Sequence, residues 1–144
     1  MISGPLATMI LGDQGADVIK VETPEKGDLV RYLGSTKRGF SATFATSNRN
    51  KRSVALDLKN ESGREVLFKL VASADVFVQN FRPGTVERMG IDEAVLRKHR
   101  PDLIYVSISG FGEKGPYAHK RVYDPLIQAL SGLATIQGDR GRGR

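Results

Sequence analysis

The sequence predicts an α/β fold with a largely parallel sheet, and three observations predict it. Short β-branched runs recur along the chain at Asp17–Glu22, Ser53–Leu58, Asp75–Gln79 and Leu103–Ser107. Segments of helical period lie between them, the clearest with Val66, Leu67, Leu70 and Val71 on one face. Proline, glycine and aspartate punctuate the boundaries. Strand and helix in alternation place strands side by side in parallel, joined by right-handed crossovers.

Taken in order, Pro5 opens a helix through Leu11, with Gly15 past its end. Asp17–Glu22 is the first strand. Thr23–Asn50 carries Pro24, Gly27, Gly34 and Gly39 and reads as a long loop with one short helix near Ser41–Thr46. Loops of that length inside a domain are usually functional. Ser53–Leu58 is a strand, Glu61–Ala72 a helix and Asp75–Gln79 a strand. Asn80–Gly84 is a turn, followed by a short helix through Val86 and Met89 to Gly90. Asp92 caps a helix that runs to Arg100, and Pro101 stops it. Leu103–Ser107 is a strand, Ser109–Tyr117 a Gly-rich loop, and Pro125–Ser131 a helix ending near Gly132. No strand precedes the first helix, and the sequence ends in a basic Gly-Arg stretch. Residues 1–144 are therefore expected to be one incomplete part of a larger domain.

Composition removes several function classes. The 144 residues hold no cysteine, which excludes disulfides, zinc-thiolate sites and thiol nucleophiles. His99 and His119 are too few for a His-rich metal site. No apolar run approaches the ~20 residues of a membrane helix. The start, Met1-Ile2-Ser3-Gly4-Pro5, lacks the basic region of a secretory signal. A cytoplasmic protein is the expectation, with a mitochondrial or peroxisomal one left open. The net charge of +6, from 22 Lys and Arg against 16 Asp and Glu, favours an anionic partner. Arg140, Arg142 and Arg144 contribute at the very end. No aromatic platform is interleaved with the basic residues, so nucleic acid is not the expected partner.

Four motifs bear on chemistry. Gly110-Phe111-Gly112-Glu113-Lys114-Gly115 matches G-x-G-x-x-G after a strand, but Pro116-Tyr117 follows where a dinucleotide site needs a helix. A plain loop is the better reading. The run Asn48-Arg49-Asn50-Lys51-Arg52 has cations that suit phosphates, or a solvated loop. Asn80-Phe81-Arg82-Pro83-Gly84 follows a strand's carboxyl end, the edge where open α/β sheets bind ligands. Its amide, ring and guanidinium suit an adenine nucleotide, and equally an ordinary turn. Among Asp57, Asp75, Asp124 and Asp139, no adjacent base singles out a catalytic carboxylate.

An ordered series of short motifs carries a resemblance. It runs from Gly4-Pro5 through Leu11-Gly12-Asp13-Gln14-Gly15-Ala16-Asp17-Val18-Ile19-Lys20-Val21-Glu22 and Gly27-Asp28 with Arg31. It continues through Asn50-Lys51-Arg52-Ser53, Leu56-Asp57-Leu58-Lys59, Gly63-Arg64, Ala74-Asp75-Val76, and Asn80 to Gly84 with Arg88. Pro101-Asp102-Leu103-Ile104-Tyr105, Ser109-Gly110-Phe111-Gly112, Tyr123-Asp124 and Ser131-Gly132 complete it. In this series the chain resembles the N-terminal part of a family III (CaiB/BaiF-type) CoA-transferase.

The resemblance implies a Rossmann-like parallel sheet flanked by helices, part of a large CoA-binding domain. The first strand, the catalytic segment and the small domain would then lie outside these residues, and two chains would interlock as a homodimer. It implies transfer of CoA from an acyl-CoA donor to a carboxylic acid acceptor, with CoA as substrate and no permanently bound cofactor. An aspartate would attack the thioester, forming a mixed anhydride and then an enzyme–CoA thioester. That aspartate would follow Ser131-Gly132 beyond this chain, and Asp139 comes too early to be it. The 144 residues alone are expected to be inactive.

For binding, the resemblance assigns Leu56, Asp57, Leu58 and Lys59 to the adenine and phosphate region. Asn80, Phe81 and Arg82 would border the nucleotide, and Arg88 would pair with a phosphate. Arg121, Val122, Tyr123 and Asp124 would approach the pantetheine end. Thr23 and Ile2 depart from residues common in the family. Two alternatives remain at this stage. One is a non-catalytic CoA-binding fragment. The other is an enzyme resembling α-methylacyl-CoA racemase, which has His where this chain has Tyr123; a phenol with a pKa near ~10 is a poor base for that chemistry.

Overall fold

A computed structural model describes residues 2–37 and 40–137. Asp139, Arg140, Arg142 and Arg144 lie outside the described residues. The chain divides into two compact units, residues 1–108 and 109–144.

In the first unit, helix α1 (Ser3–Asp13) leads into strand β1 (Val18–Glu22). The long segment that follows is more structured than expected. It holds a 3-10 turn (Leu29–Tyr32), two short strands, β2 (Thr36–Lys37) and β3 (Phe40–Ser41), and helix α2 (Ala42–Asn48). Ser41 caps α2, accepting from the Phe44 N–H at 3.2 Å and donating to the Leu33 carbonyl at 2.7 Å. Strand β4 (Lys51–Ala55) precedes helix α3 (Glu61–Ala72), whose ends match the sequence expectation. Strand β5 (Val76–Gln79), helices α4 (Thr85–Met89) and α5 (Glu93–Leu96), and strand β6 (Ile104–Ser107) complete the unit.

Strand β1 pairs with β4 in parallel, Val18 opposite Lys51 and Glu22 opposite Ala55. Strand β5 pairs with β6 in parallel, Val76 opposite Ile104 and Gln79 opposite Ser107. The parallel α/β expectation therefore holds. Among the described residues the two pairs are not hydrogen-bonded to each other, so they do not form one continuous sheet. Helix α1 touches both pairs: a Cβ on Gly4 would lie 3.3 Å from the Asn80 Cβ, and one on Gly12 would lie 3.2 Å from the Asn50 carbonyl. The helix thus starts beside the end of β5 and finishes beside the start of β4.

The core cluster joins Leu67 and Val71 of α3 to Val86 of α4, Ile91, Leu96 of α5 and Leu103. Leu67 and Val71 are four apart and share one helix face, as the periodicity predicts, whereas Val66 is exposed. Phe77 and Tyr105, facing partners on β5 and β6, stack at 5.5 Å on the cluster's edge.

Two boundaries differ from expectation for local reasons. Strand β4 stops at Ala55, not Leu58. One more ladder bond forms, from the Leu56 N–H to the Glu22 carbonyl at 2.9 Å. The Asp57 carboxylate then takes the Lys59 N–H at 3.0 Å and the Asn60 amide at 2.7 Å, turning the chain into α3. Helix α5 is capped by Asp92 as expected but ends at Leu96, and the residues up to Arg100 continue as turns.

In the second unit, 109–123 form an irregular Gly-rich stretch followed by helices α6 (Asp124–Leu130) and α7 (Leu133–Gln137). The sequence reading had no counterpart for α7. Turns, not a helix, directly follow Gly115, which agrees with reading Gly110–Gly115 as a plain loop.

Candidate functional site

The sequence-assigned binding residues fall on both units. In the first, they follow the carboxyl ends of β4 and β5, with Arg88 on α4. Leu56 and Leu58 are half-buried and pack against the core cluster, so they anchor the segment between β4 and α3. Arg64 clamps the same segment, donating to the Leu58 and Lys59 carbonyls at 3.2 and 2.9 Å. Gly63 permits the close approach, because a Cβ there would lie 2.1 Å from the Asp57 carbonyl oxygen. The Lys59 side chain is left on the surface beside the first turn of α3, where the helix dipole adds to its positive field.

At the end of β5, Gln79 is only 6% exposed although polar. Its Nε2 donates to the Ser107 Oγ at 2.8 Å, and its Oε1 accepts from the Phe81 N–H at 2.7 Å. Asn80 Nδ2 donates to the Ile108 carbonyl at 2.7 Å. Phe81 is 42% exposed, and Arg82 is exposed beside it. Arg88, on α4, is also exposed and donates to the Thr85 hydroxyl at 3.1 Å. A fixed turn therefore presents a ring and cations to solvent. That set of groups can stack on a base and neutralise phosphates.

In the second unit, Val122 lies against Gly110, where a Cβ would meet it at 1.9 Å. Arg121 and Tyr123 are exposed, and Asp124 opens α6 with its carboxylate accepting from the Gln128 amide.

A second polar centre, at the end of β1, explains motifs whose role the sequence left blank. Glu22 is 7% exposed. Its carboxylate accepts from Arg31 Nε and Nη2 at 2.8 and 2.7 Å, from the Asp28 N–H at 2.8 Å and from the Ser53 hydroxyl at 3.0 Å. The Arg31 guanidinium lies over the Phe44 ring at 3.8 Å. Hydrogen bonds from Arg31 hold the Glu22 carboxyl at about 2, far below its usual value. Lys20 pairs with Asp28 at 2.7 Å. Gly27 adopts φ +62°, and a Cβ there would lie 2.8 Å from Glu22 Oε2. The Gly27-Asp28 and Arg31 motif is thus the wrapping of a buried carboxylate.

The basic run 48–52 is likewise occupied by the fold. Arg49 pairs with Asp13 and Arg52 with Asp17. The Lys51 amine donates to the Pro5 and Ser47 carbonyls and to Asn48 Oδ1 at 2.7, 2.9 and 3.1 Å. Burial, with the Lys20 charge added, lowers its pKa to about 8. Three acceptors match the three protons of the ammonium, so Lys51 is a charged strut at neutral pH. The run stands at the amino end of β4, away from the strand's carboxyl end.

Gln79 and Ser107 were not singled out from the sequence, and Arg64 stood only in the Gly63-Arg64 motif, with no role given to it. The available signal for Gln79 was a polar residue closing an otherwise apolar strand.

The chain matches the family model described as CoA-transferase family III over residues 1–143. It is 44% identical over 138 residues to the acetyl-CoA:oxalate CoA-transferase of Acetobacter aceti, covering 96% of this chain and 36% of that protein. It is 43% identical over 139 residues to the succinyl-CoA:glutarate CoA-transferase of Mus musculus, covering 96% of this chain and 32% of that one. Among solved structures, a CAIB/BAIF family protein from Brucella suis superposes with a TM-score of 0.90 at 43% identity, over 98% of this chain and 38% of that chain. The chain thus spans about a third of the length of the relatives it matches. The ordered motifs, the parallel strand pairs and these matches agree: the chain belongs to the CoA-transferase family III.

Proposed function

We infer that the protein transfers CoA from an acyl-CoA donor to a carboxylic acid, and that the ends of β4 and β5 hold the nucleotide part of CoA. The observation that carries this reading is the rigid Asn80–Arg82 turn, with an exposed ring and cation at a strand's carboxyl end. Lys59, Arg82 and Arg88 supply positive charge for the phosphates, and Phe81 supplies a stacking face for the adenine. The net charge of +6 is in keeping with such an anionic ligand.

The residues form part of a larger CoA-binding domain. Strands β1 and β5 each pair on one side only among the described residues, and α1 touches both pairs. A further parallel strand between them, supplied by the intact chain, completes one Rossmann-like sheet. Two such chains interlock as a homodimer.

In the reaction, an aspartate beyond residue 144 attacks the donor's thioester carbonyl. The CoA thiolate leaves, and a mixed anhydride forms. The thiolate then attacks the aspartyl carbonyl, releasing the donor's carboxylate and leaving an enzyme–CoA thioester. The acceptor's carboxylate repeats the sequence in reverse, so the new acyl-CoA departs and the aspartate is regenerated. The residues of this chain bind and orient CoA through all four steps.

The test incubates the intact protein with succinyl-CoA and a panel of carboxylic acids, headed by oxalate, glutarate and malate because relatives are named for them. Mass spectrometry should find one new acyl-CoA and an equal amount of succinate. No new thioester with any acid would overturn the reading. The 144-residue chain alone should give none.

A further inference from the structure

We propose that Gln79, anchored by Ser107, is a positioning residue that aims Phe81 and Arg82 at the CoA nucleotide; this rests on the function inferred above. Gln79 closes β5 directly opposite Ser107 on β6. A buried amide needs partners for both its donor and its acceptor, and here the two partners lie on different segments. The Nε2 side reaches across the ladder to Ser107 Oγ at 2.8 Å. The Oε1 side reaches forward to the Phe81 N–H at 2.7 Å. One side chain therefore ties the first residues after the strand to the neighbouring strand.

Two further contacts fix the same turn. Asn80 Nδ2 holds the Ile108 carbonyl at 2.7 Å. Gly4 backs the Asn80 side chain, with room for no more than a tight methyl at 3.3 Å. The backbone at Asn80 and Phe81 is pinned from three sides, while the side chains of Phe81 and Arg82 face outward. A ligand meeting this edge finds its ring and cation already in place, so less ordering entropy is lost on binding.

A buried hydrophobe would fill the position of Gln79 but would release the Phe81 N–H. A residue that only stabilises the fold would weaken CoA binding, if at all, independently of Arg82. A residue that aims Arg82 makes Arg82 useful only while it is present itself. The two cases separate in a double-mutant cycle.

The experiment titrates coenzyme A into the intact protein by calorimetry, for wild type, Gln79→Leu, Arg82→Ala and the double variant, with a melting curve for each. The expected result is about a tenfold loss of affinity in Gln79→Leu, with little further loss when Arg82→Ala is added. Ser107→Ala, at an exposed position, removes one anchor with little risk to folding and should show a smaller loss, with the cost of Arg82→Ala reduced in proportion. If Arg82→Ala costs the same factor in the wild-type, Gln79→Leu and Ser107→Ala backgrounds, the positioning role is wrong while the CoA site stands. If wild type itself binds no coenzyme A, the site and the positioning role both fall.

Discussion

The ends of β1 and β5 solve one problem in opposite ways. Each strand closes on a buried polar residue, Glu22 at 7% exposure and Gln79 at 6%, and each organises the loop that follows. Glu22 is charged, and its partner is a cation from that loop, Arg31, half covered and seated on Phe44. Gln79 is neutral, and its partners are a hydroxyl and a backbone N–H. The first arrangement neutralises the Arg31 cation of its loop. The second leaves Arg82 at the surface. A neutral amide therefore shapes this turn without adding a negative charge beside the exposed Arg82.

The largest effect expected from this contrast is on stability at the β1 end. Glu22→Gln leaves the Arg31 guanidinium facing a neutral amide and should destabilise the protein by about 3 kcal/mol. Urea denaturation measures it, and a neutral result would show that the charged centre is not structural. Gly27→Ala comes next, at about 2 kcal/mol, because the positive φ and the 2.8 Å approach to Glu22 both oppose a side chain.

Acid should act on one end only. The Glu22 carboxyl sits at about 2 in the fold against an ordinary 4.5. Its contribution is complete above pH 4.5 and is lost as pH falls toward 2, because protonation then favours the unfolded chain. Melting temperatures across that range should fall less steeply in Glu22→Gln than in wild type. Equal slopes would remove Glu22 from the acid response. The smallest effect on stability belongs to Arg82→Ala, within about 0.5 kcal/mol, as for an exposed residue outside any network. A larger loss would mean that Arg82 serves the fold and is not free for a ligand.

The sequence made α3 legible to the residue, because its apolar stripe and flanking turn signals agree with the burial of Leu67 and Val71. Strand β4 was read too long: the SVALDL pattern alternates to Leu58, but the Asp57 carboxylate takes the Lys59 N–H and turns the chain out of the ladder. In the stretch 23–50 only the short helix near Ser41–Thr46 was legible, and it appears as α2; the rest of the order comes from Glu22 and Ser41 bonding across the stretch, contacts with no periodicity. The turn Asn80–Arg82 stood out, since its residue types and its place after a strand are local features. Gln79 did not, because its value depends on Ser107, 28 residues away in sequence and opposite only after β5 and β6 pair.

A crystal structure of the intact protein with coenzyme A locates the nucleotide outright. The nucleotide is expected at the carboxyl end of β5, with the Arg82 guanidinium hydrogen-bonded to a phosphate and the adenine against Phe81. Coenzyme A seated elsewhere, with Phe81 and Arg82 untouched, would contradict it.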